Sequence, residues 1–506
     1  MEQLLSAIAS DLVSRALNLV IQKYKGSKAE DAPHKLQRLQ HVLLRINAAV
    51  EEAEGRHITN QAMLKQLELL RQGMYQGHYM LDTFRRRRGH GRDEDEVSGG
   101  GRAVALPRFR AAKRLLFFPV NNDADNLQNT QLDPKSVKKL KNMLESLEMM
   151  ISDMEEFTTF LEGYPRICHQ PYSTYLILNK VMFGRQMEKE TVLNFLLRPE
   201  ALDDGIPDVL PIVGTARVGK STLVEHVCHE ERVRRHFSLI IFFTGDDLGP
   251  GNMAALRESA VIKHQDLTAA SQVRSLAVIE LTGDMEEETW RRLHSSAASS
   301  LGQGSKIIIT SRSESIVALG TTQALRQKPL PQEAFWYFFK MLAFGSASPH
   351  DEPKLKSIGM EIAMLLNRQI IRANIVASLL RTNRNARFWH RALQCLRDYT
   401  NKHLCTYGEH PSVLLSKRQP VYLWSMVRNQ TEVVICNVYQ KPSPYHGVPK
   451  LRVQEFITER VIDHGNFDMV MWKSSIPPYN AYVVSCVAEP NRCPKANKKR
   501  LRHACV

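Results

Sequence analysis

Between residues 214 and 221 the chain reads GTARVGKS, and Gly214, Gly219, Lys220 and Ser221 fit the spacing G-x-x-x-x-G-K-[ST]. Glycines at these places let the backbone bend so that successive N–H groups point inward at phosphate oxygens. The N-terminus of the following helix adds its positive end. Lys220 would neutralise the outer phosphates and the Ser221 hydroxyl would ligate Mg2+, with Val218 and Thr222 flanking the bound group. A working hydrolase also needs one acid to hold the ion through water and another to orient an attacking water. The run Leu276-Ala277-Val278-Ile279-Glu280-Leu281 offers Glu280 for the first task and a leucine where the second acid belongs. Leucine cannot polarise water, so hydrolysis is expected to be weak or absent, at most a slow ATPase. Two blander readings stay open: a glycine-rich turn that binds nothing, and a core strand whose Glu280 merely faces solvent.

Other reactive side chains form no such constellation. The cysteines, Cys168, Cys228, Cys395, Cys405, Cys436, Cys486, Cys493 and Cys505, include no C-x-x-C pair and no histidine at zinc-ligand spacing. They read as reduced intracellular thiols. His226, His229 and His236 read as helix-surface residues, and Trp424 and Trp472 as core packing.

Four stretches of pattern must position these residues. Over the first 83 residues, apolar side chains recur at three- and four-residue steps: Leu4, Leu5, Ile8, Leu12, Ala16 and Leu19; Leu36, Leu39, Leu43, Ile46, Val50 and Ala53; Leu64, Leu67, Leu70, Met74 and Leu81. A charged, glycine-rich run from Arg85 to about Asp133 carries no periodicity and is expected to be a flexible insertion. After Pro134 the stripe Val137, Leu140, Leu144, Leu147, Ile151, Met154, Phe157 and Leu161 predicts one further helix, closing an antiparallel helical bundle over 1–163. From 181 to 325, short apolar runs alternate with helical stretches, the rhythm of an α/β P-loop domain. Its expected strands are Val209–Val213, Leu239–Phe243, Leu276–Leu281 and Lys306–Thr310. Pro211 donates no ladder hydrogen bond, so the paired part of the first strand is expected at Ile212 and Val213. A small helical subdomain is expected over 326–400, a β-rich C-terminal module over 415–490 and a basic tail over 491–506.

With 68 Lys+Arg against 53 Asp+Glu the formal charge is +15, which suits polyanions or acidic partners without choosing among them. Much of the excess sits in Arg85–Arg88 and in the tail Lys498, Lys499, Arg500 and Arg502, which reads as solvated loops or a nuclear signal. No helix-turn-helix, zinc site or aromatic-interleaved strand accompanies it, so a nucleic-acid partner is not expected. Neither a signal peptide nor about 18 uninterrupted apolar residues can be found, which argues for a cytoplasmic protein without a membrane span.

The order of motifs resembles that of plant NB-ARC disease-resistance proteins with an Rx-type coiled-coil N-terminal domain, and in particular the truncated grass members without leucine-rich repeats. MFGRQMEKETVLNFLL at 182–197 is similar to the family's linker, which implies adenine contacts for Phe183, Gly184 and Arg185. GSKIIITSR at 304–312 is similar to the sensor strand, implying that Arg312 reads the γ-phosphate. LPQEAFWYFFKMLAFG at 330–345 resembles the motif that opens the helical subdomain, and HYMLDTF at 78–84 the acidic motif of the N-terminal domain, with Asp82 its only acid. The family's paired aspartates are Glu280 and Leu281 here, its G-L-P-L segment is NRQIIRANIV at 367–376, and its Met-His-Asp motif has only a reversed imitation at Ile462-Asp463-His464. The resemblance implies ADP or ATP with Mg2+ as cofactor, a role in plant defence, and contacts with other immune receptors, signalling proteins or further copies through the N-terminal helices. The alternative is a degenerate helper or decoy scaffold that binds no nucleotide and pairs with intact receptors.

Overall fold

The computed structural model describes residues 32–90, 134–166, 182–198, 206–244, 261–263, 274–281, 283–347, 349, 351–417, 419–427, 431–441, 449–458 and 465–490. The expected first helical stripe at Leu4–Leu19, most of the expected insertion, Ile462-Asp463-His464 and the basic tail lie outside the described residues. The described residues fall into two compact units, one within 1–50 and 83–163, the other within 51–82 and 164–506.

The N-terminal helices are α1 (Ala32–Glu54), α2 (Gln61–His90), α3 (Pro134–Ser152) and α4 (Met154–Leu161). In the first unit the stripes do what their spacing implies: Leu39, Leu43 and Ile46 of α1 and Leu140, Leu144 and Leu147 of α3 are buried. Arg38 of α1 grips Glu148 of α3 with two N–H groups, Nη2 to Oε2 at 2.8 Å. Two expectations need correction. The single helix foreseen after Pro134 is interrupted at Asp153, a residue type that competes poorly inside helices. Helix α2 runs through Arg85–Arg88 to His90, because arginine is a good helix former. The first unit ends at Gly163, and residues 51–82 group with the second unit. There Asp82 accepts hydrogen bonds from Trp336 and Lys340, Tyr75 packs on Phe183 and Tyr337, and Arg71 donates to Glu54 and Gln186.

The second unit continues with α5 (Gln186–Leu197), β1 (Asp208–Val213), α6 (Lys220–Cys228), α7 (Glu231–His236), β2 (Leu239–Thr244), β3 (Val261–Lys263), β4 (Ser275–Glu280), α8 (Glu287–Ser300), β5 (Lys306–Ser311) and β6 (Leu325–Arg326). The strands form one sheet in the order β3-β2-β4-β5-β1-β6, parallel except for β3. Its core strands are apolar on both faces, as a sheet covered on both sides requires. Val209, Val213, Ile279, Ile307 and Ile309 enter one core with Trp290 of α8, while Leu210, Ile212, Val278 and Ile308 enter the other with Leu193 of α5 and Leu223 of α6.

Pro211 is fully part of β1, opposite Ile309, instead of lying outside a pairing limited to Ile212 and Val213. Val209 and Val213 turn their carbonyls to the β6 side, where Thr321 and Gln327 donate to them. Residues alternate along a strand, so Pro211 faces that side too, and β6 pairs only from Ile212 onward. The missing N–H therefore falls where no strand asks for it.

Helices α9 (Gln332–Phe344), α10 (Pro353–Leu365), α11 (Ile370–Thr382), α12 (Ala386–Tyr407) and α13 (Pro411–Ser416) follow. Strands β7 (Val421–Tyr422), β8 (Thr431–Lys441), β9 (Gly465–Lys473) and β10 (Ala481–Pro490) make an antiparallel sheet in the order β7-β8-β10-β9, with α14 (Val453–Thr458) between β8 and β9. Helices and sheet share one apolar core, in which Trp336, Trp389 and Leu396 meet Ile435, Met469 and Val484. The expected division at 400 accordingly cuts through α12 and does not separate two cores.

Candidate functional site

Strand β1 ends at Val213 and the chain turns at once into the glycine loop. Gly214 cannot be larger: an added Cβ would stand 2.5 Å from the carbonyl oxygen of Gln327 and 3.1 Å from the Val218 side chain. Gly219 sits at φ +99°, a left-handed conformation that favours glycine, and caps α6. Gln327, just past β6, closes the loop from below: its N–H donates to Val213 O at 2.8 Å and its side-chain amide to Val218 O at 3.3 Å. Arg217 also lies in the left-handed region, at φ +61°. That conformation costs a residue with a side chain about 1–2 kcal/mol.

Lys220 opens α6 and folds back over the loop, donating to Gly214 O at 2.7 Å and Thr215 O at 3.2 Å. Burial, together with the neighbouring Arg312 charge and against the pull of Glu280, pushes its ammonium pKa down to about 8. The next residue, Ser221, donates to Glu280 Oε2 at 3.0 Å. Glu280 ends β4, two strands from β1 across β5, and is exposed. A hydroxyl and a carboxylate meeting at the ends of parallel strands suit Mg2+, a hard cation that takes oxygen ligands and keeps several waters. Leu281 is buried in the core beneath, its N–H donating to Thr310 O at 2.8 Å, and offers no acid.

These residues border a cavity of about 480 Å3, in the range that small-molecule sites occupy. Val218, Gly219, Lys220, Ser221, Thr222 and Glu280 form its wall on the sheet side, with Arg312 at the end of β5. Phe183 and Arg185 line it from the linker ahead of α5. The Phe183 ring stacks near-parallel on Tyr337 at 6.4 Å and meets Phe338 at 5.1 Å, while Arg185 is held by Glu188 Oε1 at 2.8 Å and Lys328 O at 2.6 Å. Gly184 and Gly214 stand behind the lining: Gly184 turns the linker at φ +65°, where an added Cβ would meet Leu330 at 2.8 Å.

The opposite wall comes from residues that sequence reading did not assign. Gln369, just ahead of α11, and Ile371, Arg372 and Asn374 within it belong to the segment that departs from the family's G-L-P-L pattern, and all four line the cavity. Trp424 is buried in the shared core and Trp472 is half-buried against Tyr482, and both tryptophans also border the cavity. Strand β10 and the turn before it reach α6 directly: the Tyr482 and Thr222 hydroxyls are 3.3 Å apart and Asn480 Nδ2 donates to Glu225 Oε2 at 2.8 Å. His226 is not a free surface side chain, since its Nδ1 lies 3.3 Å from Pro477 O. Burial pushes the Glu225 carboxyl up to about 7 in spite of the Asn480 bond. Gln327 Oε1 and Arg372 Nη1 are buried and have no hydrogen-bond partner, an expensive condition unless something else fills it. The only local sequence signal for this wall was the anomaly at 367–376; its approach to the loop depends on the tertiary fold.

A family model for the Rx N-terminal domain matches residues 8–114. A putative disease resistance protein of Arabidopsis thaliana is 23% identical over 417 residues, covering 78% of this chain and 28% of that protein. The disease resistance protein RGA2 of Solanum bulbocastanum is 23% identical over 378 residues, covering 70% of this chain and 35% of that protein. Its relatives are plant disease resistance proteins. The chain spans about a third of the length of these curated resistance proteins. Solved structures give slighter likenesses: Drosophila ORC bound to DNA, with a TM-score of 0.24, 13% identity and coverage of 43% of this chain and 62% of that one, and domain III of the Thermotoga maritima replication initiation protein DnaA, with 0.22, 14%, 49% and 96%. The Rx match covers the N-terminal part of the chain, and the identity to plant disease resistance proteins extends over most of it. Among the described residues no helix is long and apolar enough to cross a membrane.

Proposed function

We propose that this chain is an NB-ARC resistance protein that binds ADP or ATP with Mg2+ in the cavity over the glycine loop and acts in plant defence through protein contacts. One observation carries the reading: Lys220 stands over the bent loop while Ser221 and Glu280 touch at 3.0 Å beside it, so a cation and an Mg2+ ligand pair serve one spot. Ser221 and Glu280 would hold Mg2+, which would supply positive charge to neutralise a polyphosphate. Lys220 would exchange its two loop carbonyls for phosphate oxygens, regaining charge-assisted partners for a half-desolvated ammonium. Phe183 and Arg185 would border the adenine end, and Arg312 the outer phosphate. Hydrolysis is weak or absent because buried Leu281 supplies no carboxylate to orient water, and Glu280 is the sole acid among the described lining residues.

Partners dock on the N-terminal helices, where Leu44, Met149 and Phe160 expose 43%, 68% and 57% of their surface. The site of action is the cytoplasm, with the basic tail serving as a nuclear address. Isothermal titration with ADP tests the nucleotide reading. Saturable uptake by the wild type, weakened at least about tenfold in Lys220→Ala, is expected from loss of one buried charge-assisted contact. A wild type that takes up no nucleotide leaves the second reading, a scaffold that pairs with intact receptors. The capture of Lys220 by the loop's own carbonyls is the observation that favours this alternative.

A further inference from the structure

The charge around the cavity exceeds what the glycine loop alone calls for. Besides Lys220, the described lining carries Arg185, Arg217, Arg312 and Arg372, against the single carboxylate of Glu280. Arg185 is already paired with Glu188, which leaves four cations facing one acid. They come from separate elements: Arg217 from the loop itself, Arg312 from the end of β5 and Arg372 from the first turn of α11. Arg217 and Arg312 each spend one N–H on a carbonyl at the end of α13, Leu415 O at 3.0 Å and Ser416 O at 3.1 Å. Arg372 lies over the Tyr399 ring at 5.7 Å with one guanidinium nitrogen buried and unbonded. Arg217 holds a backbone conformation that glycine would adopt without cost.

Three guanidinium groups repel one another. Arg312 and Arg372, after burial, are the influences that push the Arg217 pKa below its ordinary value. An anion among them would relieve that repulsion, and guanidinium forks match phosphate oxygens in pairs. We infer that Arg372, acting with Arg217 and Arg312, forms a subsite for the terminal phosphate of a nucleoside triphosphate, so that α11 distinguishes a triphosphate from a diphosphate. The inference rests on the nucleotide reading above and adds to it the preferred ligand and the group that selects it. Position supports the assignment: Lys220 and Arg372 line the same cavity from separate elements, α6 and α11.

The test is calorimetric titration of the full chain, with Mg2+, using ADP and a non-hydrolysable ATP analogue. The proteins are wild type, Arg372→Gln, Arg372→Lys and Lys220→Ala, each checked for an unchanged melting curve. The inference expects Arg372→Gln to weaken the triphosphate analogue by about tenfold or more while ADP stays within about threefold, and Arg372→Lys to keep part of the preference. Equal affinities for Arg372→Gln and wild type, or equal loss of both ligands, would overturn it, the second by reducing Arg372 to a packing role on Tyr399. Lys220→Ala, in contrast, should weaken both ligands. A wild type that binds neither ligand sinks the nucleotide reading itself, an outcome distinct from a wild type that binds both and a variant that keeps their ratio.

Discussion

Replacing Asp82 by alanine removes the carboxylate from a buried, charged cluster, and the structure sets the size of the effect. Asp82 Oδ2 accepts from Lys340 Nζ at 2.7 Å and Trp336 Nε1 at 2.9 Å, and Oδ1 lies 3.1 Å from Lys356 Nζ. The three charged side chains are only 5%, 9% and 6% exposed. Burial alone would raise the Asp82 pKa, but Lys340 and Lys356 overcome it and hold the carboxyl well below its ordinary 3.8. Its stabilisation is therefore complete above pH 3.8 and fades only as the pH falls below that value. Alanine leaves two ammonium groups desolvated without a counter-charge, at a cost of about 3–5 kcal/mol. Domains are stable by only about 5–15 kcal/mol, so the loss is a large fraction of the whole. Urea unfolding followed by tryptophan emission reads it directly, because Trp336 is itself a member of the cluster. Asp82→Ala should lower the midpoint sharply and by the same amount at pH 5 and pH 8. Asp82→Asn should fall between, since its carbonyl can still accept from Trp336. An exposed pair such as Lys141–Glu145, 64% and 61% exposed, serves as control: Glu145→Ala should leave the midpoint in place. A wild-type midpoint for Asp82→Ala would refute the reasoning.

Other consequences are as direct. Gly214→Ala puts a methyl group 2.5 Å from Gln327 O, so the loop must deform; ADP affinity should fall at least about tenfold, and titration at wild-type affinity would contradict the close approach. The raised Glu225 pKa favours the folded state below about 4.5, and that contribution is lost as the pH rises through about 7. Glu225→Gln, which still accepts from Asn480, should therefore melt several degrees above wild type at pH 8 and gain little at pH 4. With the Lys220 pKa at about 8, ADP affinity should drop about fivefold between pH 8 and pH 9 as the free protein loses the ammonium proton, whereas a flat profile would exclude Lys220 from the contact.

The bent glycine loop was legible because its residues are local: two glycines, a lysine and a serine inside eight residues come together whatever surrounds them. The central strands were legible for a related reason, since apolar runs such as Ile307-Ile308-Ile309 suit a sheet covered on both faces. Pro211 misled because whether a proline harms a strand depends on which side of it a neighbour pairs, and β6 starts one residue later. Arg85–Arg88 looked like the start of an insertion, yet a helix needs no apolar stripe to continue for two more turns. Asp82 and Arg372 lie furthest from any local signal. The first finds its lysines more than 250 positions away and the second faces a loop about 150 positions earlier, distances that only the fold closes.

The central claim is that the bent loop under Lys220 holds a nucleoside polyphosphate. It is met most directly by denaturing freshly purified protein and identifying by chromatography whatever small anion it releases. The account predicts close to one adenine nucleotide per chain, absent from Lys220→Ala. Protein that releases none, and takes up none when ADP and Mg2+ are supplied in excess, would contradict it.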